Sequence, residues 1–412
     1  MKKKDCLKLH WGWIVLGTSF ITLFINYSIR IGAYPILLPE MIKDLHMTKA
    51  QAGIIKSAFA ITYLVFSPIM GWLTDRIGGR KVISFFCIFL GGGAFLMGKA
   101  DNLFTSAIFF SLVGVGSAAM WVPNATLIQK WFGVKKKGLA LGILNASSGA
   151  GFGAMGLFLP MIVINYNWRI GWFILGTVGL FLTILNGLLL RDRPEDIGLT
   201  PWCGKNEEKK ENNILSKRVD YFEILRQGQF WIIGISYLLI SYGSYALIDF
   251  IVTYGKMELN IPYSIASLFI TVTAFTGIPG GILIMIISGH IGTKKSLGIT
   301  YTLMGLSILF IILSGSNVLL LVIGIGWFGI LYGGVFALVA ACARDFFPRE
   351  VTGTILGLLT FFYGAGAMVS PVLTGYLADI SGTFRWSFSL GAFAALLAGL
   401  LMAFLRRPRE FV

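Results

Sequence analysis

Charge is what this chain has least of. Only 13 % of its 412 residues are Asp, Glu, Lys or Arg, while 56 % are hydrophobic. Soluble domains carry about 25 % charged and about 45–50 % apolar residues, so a water-soluble globule of this composition is excluded. Acids are the scarcer sign, 19 against 34 bases, for a net charge of +15. Cysteine is rare as well. Cys6, Cys87, Cys203 and Cys342 form no CxxC or other metal spacing, which leaves free thiols and no disulfide framework. The three histidines, His10, His46 and His290, fall in loops or at helix ends and make no ligand cluster. No GxxxxGK[ST] phosphate loop and no nucleophile constellation is present. The reading is therefore not an enzyme, with no metal and no cofactor. A cleavable secretory signal is missing too: Met1 to Lys4 is basic, but the apolar run that follows far exceeds an h-region of about 7–15 residues and has no small-residue cleavage site.

Long apolar runs take the place of what is missing. They lie near 11–38, 50–72, 82–100, 103–129, 138–162, 170–190, 230–253, 264–288, 296–314, 317–343, 353–377 and 386–404. Each suits a helix crossing about 30 Å of hydrocarbon. The expected fold class is an all-α membrane protein with twelve transmembrane helices. Alternate loops differ sharply in charge: the set that includes both termini holds 26 Lys and Arg, the opposite set 6. By the positive-inside rule both termini face the cytoplasm, here across a bacterial inner (plasma) membrane. The basic excess is thus a topology signal and not a nucleic-acid footprint.

The chain also repeats itself. GWLTDRIGGRKV (71–82) has a worn copy in MIISGHIGTKKS (285–296), 214 residues on, and GLALGILNASSGAG (138–151) matches GTILGLLTFFYGAG (353–366), 215 residues on. The expected domains are a six-helix bundle over 1–190, a cytoplasmic linker over 191–229 and a second bundle over 230–412. Such a layout is that of a two-bundle transporter with its site near the midplane. Gly138, Gly142, Gly149 and Gly153, with Gly353, Gly357 and Gly364, stand at small-xxx-small spacing and are expected to pack helices closely.

Within the first apolar run stands one cation, Arg30. A charged side chain at the bilayer centre costs about 2.5–3.5 kcal/mol on insertion scales, so it normally faces a protein interior or a watery path. Asn26, Tyr27 and Tyr34 lie one turn from it on the same helical face. An arginine lining a cavity would attract an anion; one that snorkels to the headgroups would not.

Gly71-Trp72-Leu73-Thr74-Asp75-Arg76-Ile77-Gly78-Gly79-Arg80-Lys81 resembles the loop signature of the major facilitator superfamily, G-x-L-x-D-R-x-G-R-[RK], and the resemblance covers nearly the whole chain. It implies a cytoplasmic gate at Asp75, Arg76 and Arg80, one-sided because Gly289 and His290 replace the Asp-Arg pair in the second half. NYSIRIGAYPILLPEM (26–41) and GIIKSAFAITYLVFSPIMG (53–71) resemble the organophosphate:phosphate antiporters and the organic anion:cation symporters, and the chain as a whole also resembles the monocarboxylate carriers. An arginine on helix one, where Arg30 stands, is implied to bind the anion. The phosphate-ester antiporters add an arginine on helix seven; the repeat places Ser244 there. One guanidinium fork matches one carboxylate, so a singly charged anion is favoured over a phosphate ester. The acid expected before Arg30 and the glutamate of helix four, both common in proton-coupled anion symporters, are Ile29 and Ala118 here.

Helical spacing adds Ser117, Trp121 and Asn124 on helix four, Asn145 and Ser148 on helix five, Ser241 and Ser244 on helix seven, and Tyr332, Thr360 and Tyr363 by the repeat. Polar groups on apolar helices are costly unless paired or wetted. Asp249 is either a proton carrier, since a carboxylate out of water can exchange a proton, or an outer-gate or solvated helix-end charge. Glu40 is expected at the outer surface, and Lys56 is expected to snorkel outward. The expected protein is a monomeric secondary transporter of a small organic anion, a monocarboxylate first, with protons as a candidate coupling ion and the bilayer as its setting. Alternatives are an organophosphate:phosphate antiporter and a non-transporting sensor built on the carrier fold.

Overall fold

A computed structural model describes residues 10–202, 225–347 and 352–405. Among them are twelve helices long and apolar enough to cross a membrane: α1 Trp11–Asp44, α2 Lys49–Ile77, α3 Gly79–Met97, α4 Leu103–Trp131, α5 Val134–Asn165, α6 Trp168–Leu189, α7 Gly228–Glu258, α8 Tyr263–Ile291, α9 Thr293–Leu313 and α10 Val318–Phe346. The last two are α11 Thr352–Ser381 and α12 Phe384–Phe404. Each coincides with an expected apolar run. Several overrun it by a turn, as α5 does through Lys135, Lys136 and Lys137, because lysine is polar yet a good helix former. The basic residues Lys2, Lys3, Lys4 and Lys8, the thiols Cys6 and Cys203, and most of the linker expected at 191–229 lie outside the described residues. Cys87 and Cys342 are buried free thiols.

The packing divides into two compact units. One holds α3 to α6 with most of α1 and α2; the other holds α7 to α12 together with Leu38–Ser57, the end of α1 and the start of α2. In the first unit α3 packs on α6 and α4, and α1 on α5; in the second, α8 packs on α10, α9 on α12, and α7 on both α11 and α12.

The sequence repeat is a repeat of geometry. Gly78 caps α3 at φ 91° and ψ 150°, and Gly292 caps α9 at φ 85° and ψ 152°. That left-handed backbone favours glycine. A Cβ on Gly151 would lie 2.2 Å from Phe24 O, and one on Gly366 would lie 2.4 Å from Leu238 O, so the contacts of α1 with α5 and of α7 with α11 are built alike. Three of the glycines expected to pack closely, Gly138, Gly142 and Gly357, have open space around them. The repeat in that stretch preserves glycines at one register, whereas the close approach falls on another face of the same helices.

After α6 the chain turns back over the first unit. Trp202 N donates to Trp131 O at 2.9 Å and Gly133 N to Trp202 O at 3.0 Å, and the Trp202 ring packs edge-on against Trp13 and Phe132. His10 caps α1 by accepting from Gly12 N at Nδ1, 3.1 Å away, while its Nε2 lies 3.0 Å from Thr200 O. That pairing makes Nε2 the protonated nitrogen. Burial holds His10 below the usual imidazole range, opposed by the Thr200 hydrogen bond.

Candidate functional site

Arg30 sits in a π-helical turn, Ser28–Ala33. Pro35 explains the turn: it has no N–H to offer Ile31, and its ring crowds that carbonyl. Widened turns of this kind recur at functional sites because they re-aim a side chain. The Arg30 guanidinium lies 4.5 Å from the centroid of the Tyr63 ring and 5.2 Å from that of Tyr27, within cation–π range of both. Tyr63 stacks on Phe59, Phe59 leans on Phe110, and Phe110 stacks against Tyr34. Tyr34 is fully buried in this aromatic wall. It braces the wall through its stack on Phe110.

Asn26, one turn before Arg30, is buried, and its Oδ1 has no hydrogen-bond partner among the described residues. Asn124 is in the same condition: Nδ2 donates to Met120 O at 2.7 Å, while Oδ1 is left without a partner. Its helix is interrupted after Ala118 and resumes at Trp121, as Pro123 requires by crowding Ala119 O. Trp121 stands half-buried at the restart, and Ser117 is buried before it. Buried amide oxygens of this kind accept from a bound water or a ligand donor. Asn145 is exposed, and its carbonyl accepts from Ser148 Oγ at 2.7 Å.

The second unit gathers a different chemistry. Tyr237, Ser241 and Tyr245 recur every four residues along α7 and share a face. Ser241 Oγ donates to Tyr363 O at 2.6 Å. The Tyr363 ring lies 4.6 Å from Tyr237 and 5.9 Å from Tyr245 between centroids, its hydroxyl is hydrogen-bonded with that of Tyr332, and Tyr332 stacks on Phe328. Ser241, Tyr332 and Tyr363 thus come together, with Tyr237 and Tyr245 beside them. The sequence reading missed those two, although their spacing was there to be seen. Ser244 turns into its own helix, donating to Ile240 O at 2.7 Å, and Thr360 does likewise to Leu356 O at 2.7 Å.

Two expectations about charge are corrected. Lys56 does not snorkel: it is buried, with Nζ 3.1 Å from Asp249 Oδ1. Asp249, 1 % exposed, is not a solvated helix-end charge. Each charge is expensive alone in a dry interior, and their attraction offsets the desolvation of both. Glu40 is also drawn in, to an ion pair with Lys256.

At the opposite end of the first unit, Asp75 and Arg76 are exposed, with the Arg76 guanidinium 4.4 Å from the Trp72 ring centroid. Arg80 donates through its guanidinium to Gly187 O, at 3.1 Å from Nε and 2.5 Å from Nη2. The N-terminus of α3 is capped by Asp192, whose Oδ1 accepts from Arg80 N at 3.0 Å. Among the described residues no group of three His, Cys, Asp or Glu side chains could hold a metal ion.

Residues 19–291 and 237–411 match the sequence profile of the Major Facilitator Superfamily. A glycerol-3-phosphate transporter of Bacillus subtilis is 24 % identical over 93 % of this chain and 89 % of that protein. A probable galactarate/D-glucarate transporter of Escherichia coli K12 is 24 % identical over 96 % of this chain and 94 % of that one, and monocarboxylate transporter 12-B of Danio rerio is 23 % identical over 95 % and 86 %. Among solved structures, the nucleoside transporter NupG superposes with a TM-score of 0.78 at 11 % identity, covering 95 % of this chain and 100 % of that one. A bacterial homologue of the lysosomal transporter Spinster, inward-facing and unoccupied, superposes at 0.72 with 16 % identity, over 98 % and 96 %. The two profile matches together take in nearly every described residue, and the twelve helices carry the same fold as both solved transporters. This chain is an integral, multi-pass membrane protein that belongs to the Major Facilitator Superfamily.

Proposed function

We propose that the chain is a secondary transporter that carries a small organic monoanion, a monocarboxylate first, by alternating access. The observation that carries this reading is Arg30, a cation in a π-helical turn, faced by the rings of Tyr27 and Tyr63. A guanidinium beside aromatic rings presents a planar cation, and one guanidinium fork matches one carboxylate. Buried Asn26 and Asn124 add amide groups on the same unit. The second half offers neutral phenol and hydroxyl donors at Ser241, Tyr332 and Tyr363, with a serine at 244 where a second arginine would be needed for a dianion. Relatives named for sugar diacids and monocarboxylates agree with an anionic cargo. Asp249 is the candidate for carrying a coupling proton, and Asp75, Arg76 and Arg80 for the cytoplasmic gate.

The organophosphate reading is the second one, supported by the similarity to a glycerol-3-phosphate transporter. Uptake into proteoliposomes separates the two, using lactate, glycolate, glucarate and glycerol 3-phosphate with and without an imposed proton gradient. Monoanions should compete best, and Arg30→Gln should abolish uptake while the protein is still made and folded. Uptake unchanged in Arg30→Gln, or glycerol 3-phosphate as the best competitor, would refute the monoanion assignment.

A further inference from the structure

Leu38–Ser57 belongs by chain order to the first half, yet it packs as part of the second unit. Its attachments are of two kinds. Those at the rim are polar and wet: Glu40 pairs with Lys256, and both oxygens of Asp379 accept from the first turn of α2, from Lys49 N at 3.0 Å and Ala50 N at 2.8 Å. Lys49 Nζ lies 4.6 Å from the Phe384 ring centroid. Those deeper down are close and dry. A Cβ on Gly53 would lie 2.2 Å from Pro371 O and one on Gly375 would lie 2.1 Å from Lys49 O, so backbone meets backbone. Ser57 Oγ donates to Met368 O at 2.5 Å. Below them all is Lys56 against Asp249, both side chains almost wholly buried.

A bare pairing of backbones holds two helices together wherever their shapes agree. A buried ion pair adds a condition: it is tolerable only while both charges are present and in register, because either one alone is an uncompensated charge in a dry interior. We propose that Lys56 and Asp249 form an electrostatic clasp that fastens the hairpin Leu38–Ser57 onto α7, α11 and α12, so that the hairpin is held or released as one piece according to whether this pair is made. Several charged groups on the elements packed there are engaged elsewhere: Glu40 with Lys256, Asp379 with the α2 N-terminus, and Glu258 with Thr383 and Phe384 N, while Lys43 on the hairpin is exposed. The clasp rests on the carrier reading only for its purpose, which is to open one end of a transport path. Its existence is a property of the chain without cargo.

The test therefore uses no substrate. Spin labels are placed at Lys43→Cys on the hairpin and Ser381→Cys at the end of α11, both exposed positions, with Cys6 and Cys203 replaced by serine in the full-length protein in nanodiscs. The parent should give one short, narrow distance. Lys56→Met and Asp249→Asn should each raise the released-to-docked ratio roughly tenfold or more. The neutral pair Lys56→Met with Asp249→Asn should restore docking relative to either single change, since no charge is then orphaned, and the reversed pair Lys56→Asp with Asp249→Lys should restore it as well. If a single variant does not fold, the neutral and reversed pairs compared with the parent still decide: both should stay docked, and release in both would overturn the clasp. Docking that is the same in every variant, or a neutral pair that is released further than the single changes, would overturn the clasp. Neither result would bear on anion transport by Arg30.

Discussion

Arg30 takes its orientation from the rings beside it. The guanidinium stands against the faces of Tyr63 and Tyr27, and a cation–π contact contributes about 0.5–1 kcal/mol when exposed and about 2 or more when desolvated. Tyr63→Phe keeps the face and should leave anion affinity within about twofold of the parent, whereas Tyr63→Ala should weaken it several-fold, read by competition in proteoliposomes. Equal weakening by both would assign the role to the hydroxyl. Arg30 was legible in the sequence because a charge in an apolar run is conspicuous. Tyr63 was not, since one aromatic among the apolar residues of a membrane helix looks like any other. Lys56 was misread for a further reason: its partner Asp249 is on another helix 193 positions away, and a charge judged without its partner looks as though it must escape to water.

At the level of helices, the glycines divide into those that touch a backbone and those that do not, and the chain alone does not distinguish them. A Cβ on Gly91 of α3 would lie 2.2 Å from Leu180 N on α6, and one on Gly142 of α5 meets nothing within 4 Å. A backbone cannot turn aside as a side chain can, so Gly91→Val must push the two helices apart. Overpacking of this kind costs about 1–3 kcal/mol. Gly142→Ala should be neutral or slightly stabilising, since glycine in a helix interior costs about 1 kcal/mol relative to alanine. Thermal unfolding in detergent, followed by tryptophan fluorescence, should give a lower midpoint for Gly91→Val and an unchanged or higher one for Gly142→Ala. A Gly142→Ala variant as damaged as Gly91→Val would show that the open face of α5 is covered in the working protein. At Gly138, Gly142 and Gly357 the small-xxx-small pattern does not mark a contact, because spacing reports which residues share a face, not which face meets a neighbour. The prolines were more informative, as the breaks near Ala119 and across Ser28–Ala33 follow from Pro123 and Pro35.

For the molecule as a whole, twelve helices and two like halves could be read from hydropathy and a repeat of about 214 residues. The transfer of Leu38–Ser57 to the second unit could not. It rests on close backbone approach at Gly53 and Gly375, two of 51 glycines, and on charge pairs distant in sequence. Orientation across the membrane has a different physical basis from packing. With 26 Lys and Arg in one set of loops and 6 in the other, insertion with the basic set inside is strongly favoured. A single cysteine at Lys136→Cys, in the first turn of α5, and another at Tyr166→Cys, between α5 and α6, both at exposed positions, should label oppositely with a membrane-impermeant maleimide when Cys6 and Cys203 are replaced by serine. In intact cells only the cysteine at 166 should react, and the one at 136 should react after permeabilisation. The reverse pattern would turn the molecule over, placing the Asp75 and Arg80 end outside and the clasped hairpin at the cytoplasmic face.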